Sequence, residues 1–85
     1  MKQFEFVVED ENGIHARPAG LLVKKTQTYQ SNISISCNGK NADAKRIFAL
    51  LGLAIKKGDK ITVSAEGKDE ETAAKDFETY LKENF

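Results

Sequence analysis

The sequence predicts an α+β fold, one antiparallel sheet with helices on a single face. Two patterns carry that expectation. Four segments alternate apolar with polar residues, as strands with one buried face do. Helical periodicity and turn chemistry separate them in the order βαββαβα. Size adds a third observation. A chain of 85 residues has room for one domain, residues 1–85, and one small core that needs nearly every apolar position.

Phe4, Phe6 and Val8 alternate with Gln3, Glu5 and Val7, giving the first strand. Asp10-Glu11-Asn12-Gly13 is turn chemistry and ends it. Pro18 fits a first helical turn, and Ala19, Leu22, Val23 and Thr26 follow at helical spacing, so a helix runs from about Ala16 to Thr28. Ser31-Asn32 breaks it. Ile33, Ile35 and Cys37 share one face of a second strand, and Asn38-Gly39 is a strong hairpin signal. A short third strand, about Lys40 to Asp43, returns antiparallel. Ile47 to Leu51 reads as a short helix, closed by Gly52 or continued toward Gly58. Ile61, Val63 and Ala65 mark a fourth strand. Asp69 is placed to cap a last helix whose inward stripe is Ala73, Phe77, Tyr80 and Leu81.

Composition excludes several classes. With 40% hydrophobic and 31% charged residues, the chain folds rather than staying disordered. Its longest apolar run, Ile47 to Ile55, is nine residues, far short of the roughly 20 that cross a membrane. The N-terminus lacks the basic start and apolar run of a signal peptide. Cys37 is the one cysteine and His15 the one histidine, so neither a disulfide within the chain nor a Cys/His metal cluster is expected. These features suggest a cytosolic protein. Charge sums to zero but is segregated, with net −3 over residues 1–14, +7 over 15–60 and −4 over 61–85. A basic middle suits an acidic protein surface or a phosphate, and a net charge of zero does not suit general nucleic-acid binding. If the fold mixes these charges in space, the pattern means nothing.

Few side chains can do chemistry. Cys37 shares a strand face with Ile33 and Ile35 and reads as a small buried residue. The acidic groups at 9–11 and 69–71 read as solvated turn and helix-start residues. His15 is more informative. In Gly13-Ile14-His15-Ala16-Arg17-Pro18 it stands at the start of a helix, where amide N–H groups lack partners and the helix dipole is positive. An anion at His15 would meet those donors, and Arg17 adds a donor fork matched to phosphate. A neutral imidazole is a competent nucleophile. An exposed turn histidine beside an arginine fits the same spacing. Ile47, Phe48 and Leu51 lie in a helix that is apolar all round. Either the helix is wholly buried, or these residues stay outside as a docking patch beside Lys45 and Arg46.

The segment Gly13-Ile14-His15-Ala16-Arg17-Pro18-Ala19 resembles the active-site signature of the HPr family, histidine phosphocarriers of the bacterial phosphoenolpyruvate–sugar phosphotransferase system. Asn38-Gly39-Lys40 is similar to that family's central hairpin. Lys45-x-Ile47 and Leu50-Leu51-Gly52-Leu53 resemble its second helix. Gly58-Asp59-Lys60-Ile61 and Ala65-Glu66-Gly67-x-Asp69-Glu70 resemble its last strand and the entry to its last helix. The resemblance covers the whole chain.

It implies an open-faced β-sandwich, a four-stranded antiparallel sheet in the order 1-4-2-3 covered on one face by three helices. It also implies a carrier rather than an enzyme, acting as a cytoplasmic monomer without cofactor or metal. Nδ1 of His15 would take a phosphoryl group from phospho-enzyme I and pass it to a histidine of a sugar-specific IIA domain. Arg17 and the Ala16 backbone amide would stabilise that group. Arg17, Gly20, Lys24, Arg46, Ile47, Phe48 and Leu51 would meet the partners, with neither nucleic acid nor membrane insertion involved. Arg46 stands where many members carry a regulatory serine, so that switch is not expected here. Gly20 replaces a small hydroxyl residue common in the family. Two other functions fit less well. One is a regulatory phosphocarrier of a nitrogen-related chain, or an adaptor that binds targets according to its phosphorylation state. The other is a small α+β nucleic-acid-binding domain, which the lack of paired strand aromatics disfavours.

Overall fold

The computed structural model describes residues 1–85. Its elements run β1 (Lys2–Val7), α1 (Ala16–Thr26), β2 (Asn32–Cys37), β3 (Lys40–Asp43), α2 (Ile47–Leu51), β4 (Lys60–Glu66) and α3 (Glu70–Asn84). The strands form one antiparallel sheet in the order β1-β4-β2-β3. The expected fold class and strand order both hold. The register aligns the apolar faces: Phe6 lies opposite Ile61, Phe4 opposite Val63, and Val63 opposite Ile35. The next residue along each strand points to the other face, so Gln3, Glu5, Ser34, Thr62 and Ser64 form an uncovered polar surface without aromatic rings.

The core lies between the sheet and the helices. The four α1 residues at helical spacing, Ala19, Leu22, Val23 and Thr26, are all buried, and so are Ala73, Phe77 and Leu81 of α3. Tyr80 differs from expectation. It is half-buried at the edge of the stripe, stacked on Phe77 with ring centroids 6.2 Å apart. Cys37 is buried, and that burial, with Asp59 beside it, pushes the thiol above its ordinary pKa. The smallest strand and the shortest helix match expectation at both ends.

Other boundaries differ. α1 ends at Thr26 rather than Thr28, because the Thr28 N–H turns back to the Lys25 C=O in a tighter bond. Asp69 occupies the N-cap position of α3, but its side chain caps nothing there. Its carboxylate instead accepts the Ser31 hydroxyl and the N–H groups of Gln30 (2.9 Å) and Ser31 (2.8 Å). That cluster ties the turn after α1 to the start of α3, a contact across 38 residues of chain. These bonds, the Ser31 hydroxyl foremost, hold the Asp69 carboxyl below its ordinary pKa. No helix is long and apolar enough to cross a membrane.

Candidate functional site

The loop that carries His15 is fixed from both sides. Gly13 has φ of +64° and is buried. An added Cβ there would lie 2.3 Å from the Ile55 carbonyl oxygen, so only glycine fits. The Gly13 N–H donates to the Asp10 C=O at 2.9 Å, and the Ile14 N–H donates to the Ile55 C=O at 3.1 Å. Ile14 and Ala19, on either side of the histidine, are both buried. The loop therefore has apolar anchors before and after its one imidazole.

His15 itself is exposed. It is the N-cap of α1, with extended backbone (φ −116°, ψ −175°), and its side chain makes no capping bond. The first bond of the helix runs from the Ala19 N–H to the His15 C=O at 2.8 Å. The N–H groups of Ala16 and Arg17 precede that bond and have no partner, and Pro18 has no N–H. An anion carried on the imidazole would thus meet two unsatisfied donors and the positive end of an 11-residue helix. Arg17 and Lys24 are exposed and take part in no ion pair. The chemistry available is nucleophilic attack by a ring nitrogen with local stabilisation of negative charge. No group of side chains here can hold a metal ion.

The apolar residues of α2 divide as a one-sided helix must. Leu50 is fully buried, Ile47 and Leu51 are half-buried, and Phe48 is 86% exposed. The wholly buried alternative is therefore ruled out. α1 packs against α2, and a Cβ at Gly20 would just touch Ile47 Cδ1, at 3.8 Å. α1 and α2, which carry the two halves of the expected patch, are therefore neighbours. Arg46 is exposed at the N-cap of α2, its Nε 3.9 Å from Asp43 Oδ2. A pair of that length in water is worth little.

Leu21 was not among the residues expected in the patch. It is 57% exposed on α1, between Gly20 and Lys24. The sequence does carry a signal for it. Leu21 falls outside the Ala19-Leu22-Val23-Thr26 stripe, and an apolar residue on the polar side of a helix calls for a reason.

The profile of the family described as "PTS HPr component phosphorylation site" matches residues 2–83. The phosphocarrier protein HPr of Buchnera aphidicola subsp. Baizongia pistaciae is 42% identical over 81 residues, which are 95% of each chain. The crystal structure of HPr-C-His from Thermoanaerobacter tengcongensis superposes with a TM-score of 0.91 at 33% identity, covering 96% of this chain and 92% of that one. The HPr dimer from the same organism gives a TM-score of 0.76 at 32% identity, covering 98% of this chain and 95% of that one.

Proposed function

This chain belongs to the HPr family of phosphotransferase-system phosphocarriers, and on that premise we propose that His15 is its phosphoryl acceptor. The donor is phospho-enzyme I and the next acceptor is a IIA domain serving sugar uptake. In the first step the Nδ1 lone pair attacks phosphorus, a P–N bond forms, and the bond from phosphorus to enzyme I breaks. The second step repeats this exchange with His15 as the leaving group. The protein turns nothing over by itself.

One observation carries the reading. His15 is exposed at a helix N-terminus where its side chain caps nothing and the next two N–H groups are unpaired. A transferred phosphoryl group brings oxygens that need those donors. The Ala16 amide lies next to the acceptor, and Arg17 supplies a cationic fork. Arg17, Gly20, Lys24, Arg46, Ile47, Phe48 and Leu51 form the partner surface, basic at its edges and apolar at its centre, and Leu21 extends it. A surface of that kind fits an acidic partner with an apolar pocket. The protein works as a cytoplasmic monomer of one domain. With arginine at position 46 it has no serine switch there.

Incubation with phosphoenolpyruvate and enzyme I, followed by intact-mass measurement, tests the reading. One phosphoryl group should be gained, labile in acid and stable in alkali. His15→Ala should gain none. A variant labelled like the wild type would end the proposal.

A further inference from the structure

The two halves of the proposed docking surface stand on different elements. Arg17, Gly20, Leu21 and Lys24 are on α1, whereas Ile47, Phe48 and Leu51 are on α2. A partner that meets both halves needs a fixed spacing between them. α2 cannot supply it alone, because five residues are too few to hold a helix in place. Its N-cap, Arg46, gives no capping bond either.

Thr26, in the last turn of α1, is fully buried. Its hydroxyl lies 2.9 Å from the Val23 carbonyl oxygen and 2.9 Å from that of Ala44. A hydroxyl has one proton to donate. The Val23 C=O already accepts the Gln27 N–H at 3.0 Å. The Ala44 C=O belongs to a fully buried residue and accepts from no other donor. Both acceptors are satisfied only if the Thr26 proton goes to Ala44. Ala44 lies on the link between β3 and α2, and its own N–H donates to the Ile33 C=O at 2.9 Å. Gln27 Nε2 donates to the Lys45 C=O at 3.3 Å, and Lys45 Nζ donates to the Tyr29 C=O at 2.9 Å, across the same joint.

We propose that Thr26 is a positioning residue for partner docking, its buried hydroxyl fixing the Ala44 link and hence the placement of α2 against α1. This rests on the docking role proposed above. Removing the hydroxyl leaves a buried carbonyl without a donor. The link must then shift to reach water, and α2 moves with it. The phosphoryl acceptor, at the other end of α1, is untouched.

The test measures steady-state phosphoryl transfer from enzyme I and amide hydrogen exchange. Thr26→Val should raise KM about three- to tenfold, the net worth of one hydrogen bond, and leave kcat within about twofold. Thr26→Ser keeps the hydroxyl and should restore the wild-type KM. The Leu50 and Gly52 amides of Thr26→Val should exchange faster, while those of Phe77 and Leu81 in α3 keep their wild-type rates. An unchanged KM, a Thr26→Ser as poor as Thr26→Val, or equal acceleration in α2 and α3 would overturn the proposal. If Thr26→Val does not fold, Gln27→Ala decides. It loses an exposed bond across the same joint, so a smaller rise in KM supports the proposal and no rise overturns it. If the wild type accepts no phosphoryl group, the functional reading fails, and the exchange rates alone judge the positioning role.

Discussion

The carbonyl oxygen of Ile55 lies where a side chain on Gly13 would have to go. A Cβ on Gly13 would meet that oxygen at 2.3 Å and the Lys56 Cα at 2.8 Å. The same oxygen accepts the Ile14 N–H, so the segment before β4 holds the loop that presents His15. Gly13→Ala should cost more than about 2 kcal/mol, from the positive φ and the displaced backbone together. Urea unfolding measures this, and a loss under about 0.5 kcal/mol would show that the loop yields at little cost.

Ala54, one residue earlier, is not glycine yet has φ of +51°. Its methyl group makes that conformation cost about 1 kcal/mol or more. Ala54→Gly should therefore stabilise the protein, by up to about 1 kcal/mol after the added freedom of the unfolded chain is subtracted. A lower urea midpoint in the variant would contradict this.

Phe48 and Leu50 are two residues apart and should behave oppositely. Leu50 is fully buried, and Leu50→Ala should cost about 2–5 kcal/mol. Phe48 is 86% exposed, and Phe48→Ala should change stability by less than about 0.5 kcal/mol while weakening binding to enzyme I. Calorimetric titration and thermal unfolding of both variants separate the two roles. Full affinity in Phe48→Ala would remove the ring from the partner surface.

Acid should loosen the protein through Asp69, Glu70 and Asp76. All three carboxyls lie below their ordinary pKa, Asp69 through the Ser31 hydroxyl, Glu70 through the N-terminal ammonium group and Asp76 through the Tyr29 hydroxyl. A lowered folded-state value means that the unfolded chain binds protons first. Their stabilisation is therefore complete above the ordinary values of 3.8 and 4.5 and fades as pH falls through the lower folded ones. Asp69→Asn should be less stable at neutral pH, with a shallower fall in acid. Urea midpoints across the acid range test this, and an acid limb as steep as the wild type's would reassign the effect.

Arg46→Asp reverses the charge at the N-cap of α2. Transfer from enzyme I should slow, most at low ionic strength, because an exposed charge acts on the encounter rate and is screened by salt. Stopped-flow rates at two salt concentrations measure it. Equal rates for variant and wild type at low salt would deny Arg46 a role in steering.

The sheet was legible because alternation reports burial directly, and Ile33, Ile35, Ile61 and Val63 alternate without a break. The His15 segment was legible because its parts adjoin in sequence. What depended on distant contacts was not. Asp69 reads as a cap from its neighbours, yet its carboxylate is taken by Ser31 and Gln30, which only the folded chain brings near. The exposure of Phe48 depended on which side of α2 meets α1, and five apolar residues in a row could not decide that. The left-handed backbone of Ala54 left no trace, because alanine usually marks the opposite preference.

The strand made first is the strand paired last. β1 has a single neighbour in the sheet, β4, and Lys2 lies opposite Ala65. During synthesis the apolar face of β1, Phe4 and Phe6, must wait for β4 before it finds a partner, whereas β2 and β3 can close their hairpin as soon as they emerge. The nascent protein therefore carries this apolar segment unpaired until β4 has emerged. The rate at which residues 60–66 arrive sets how long that segment stays open to aggregation.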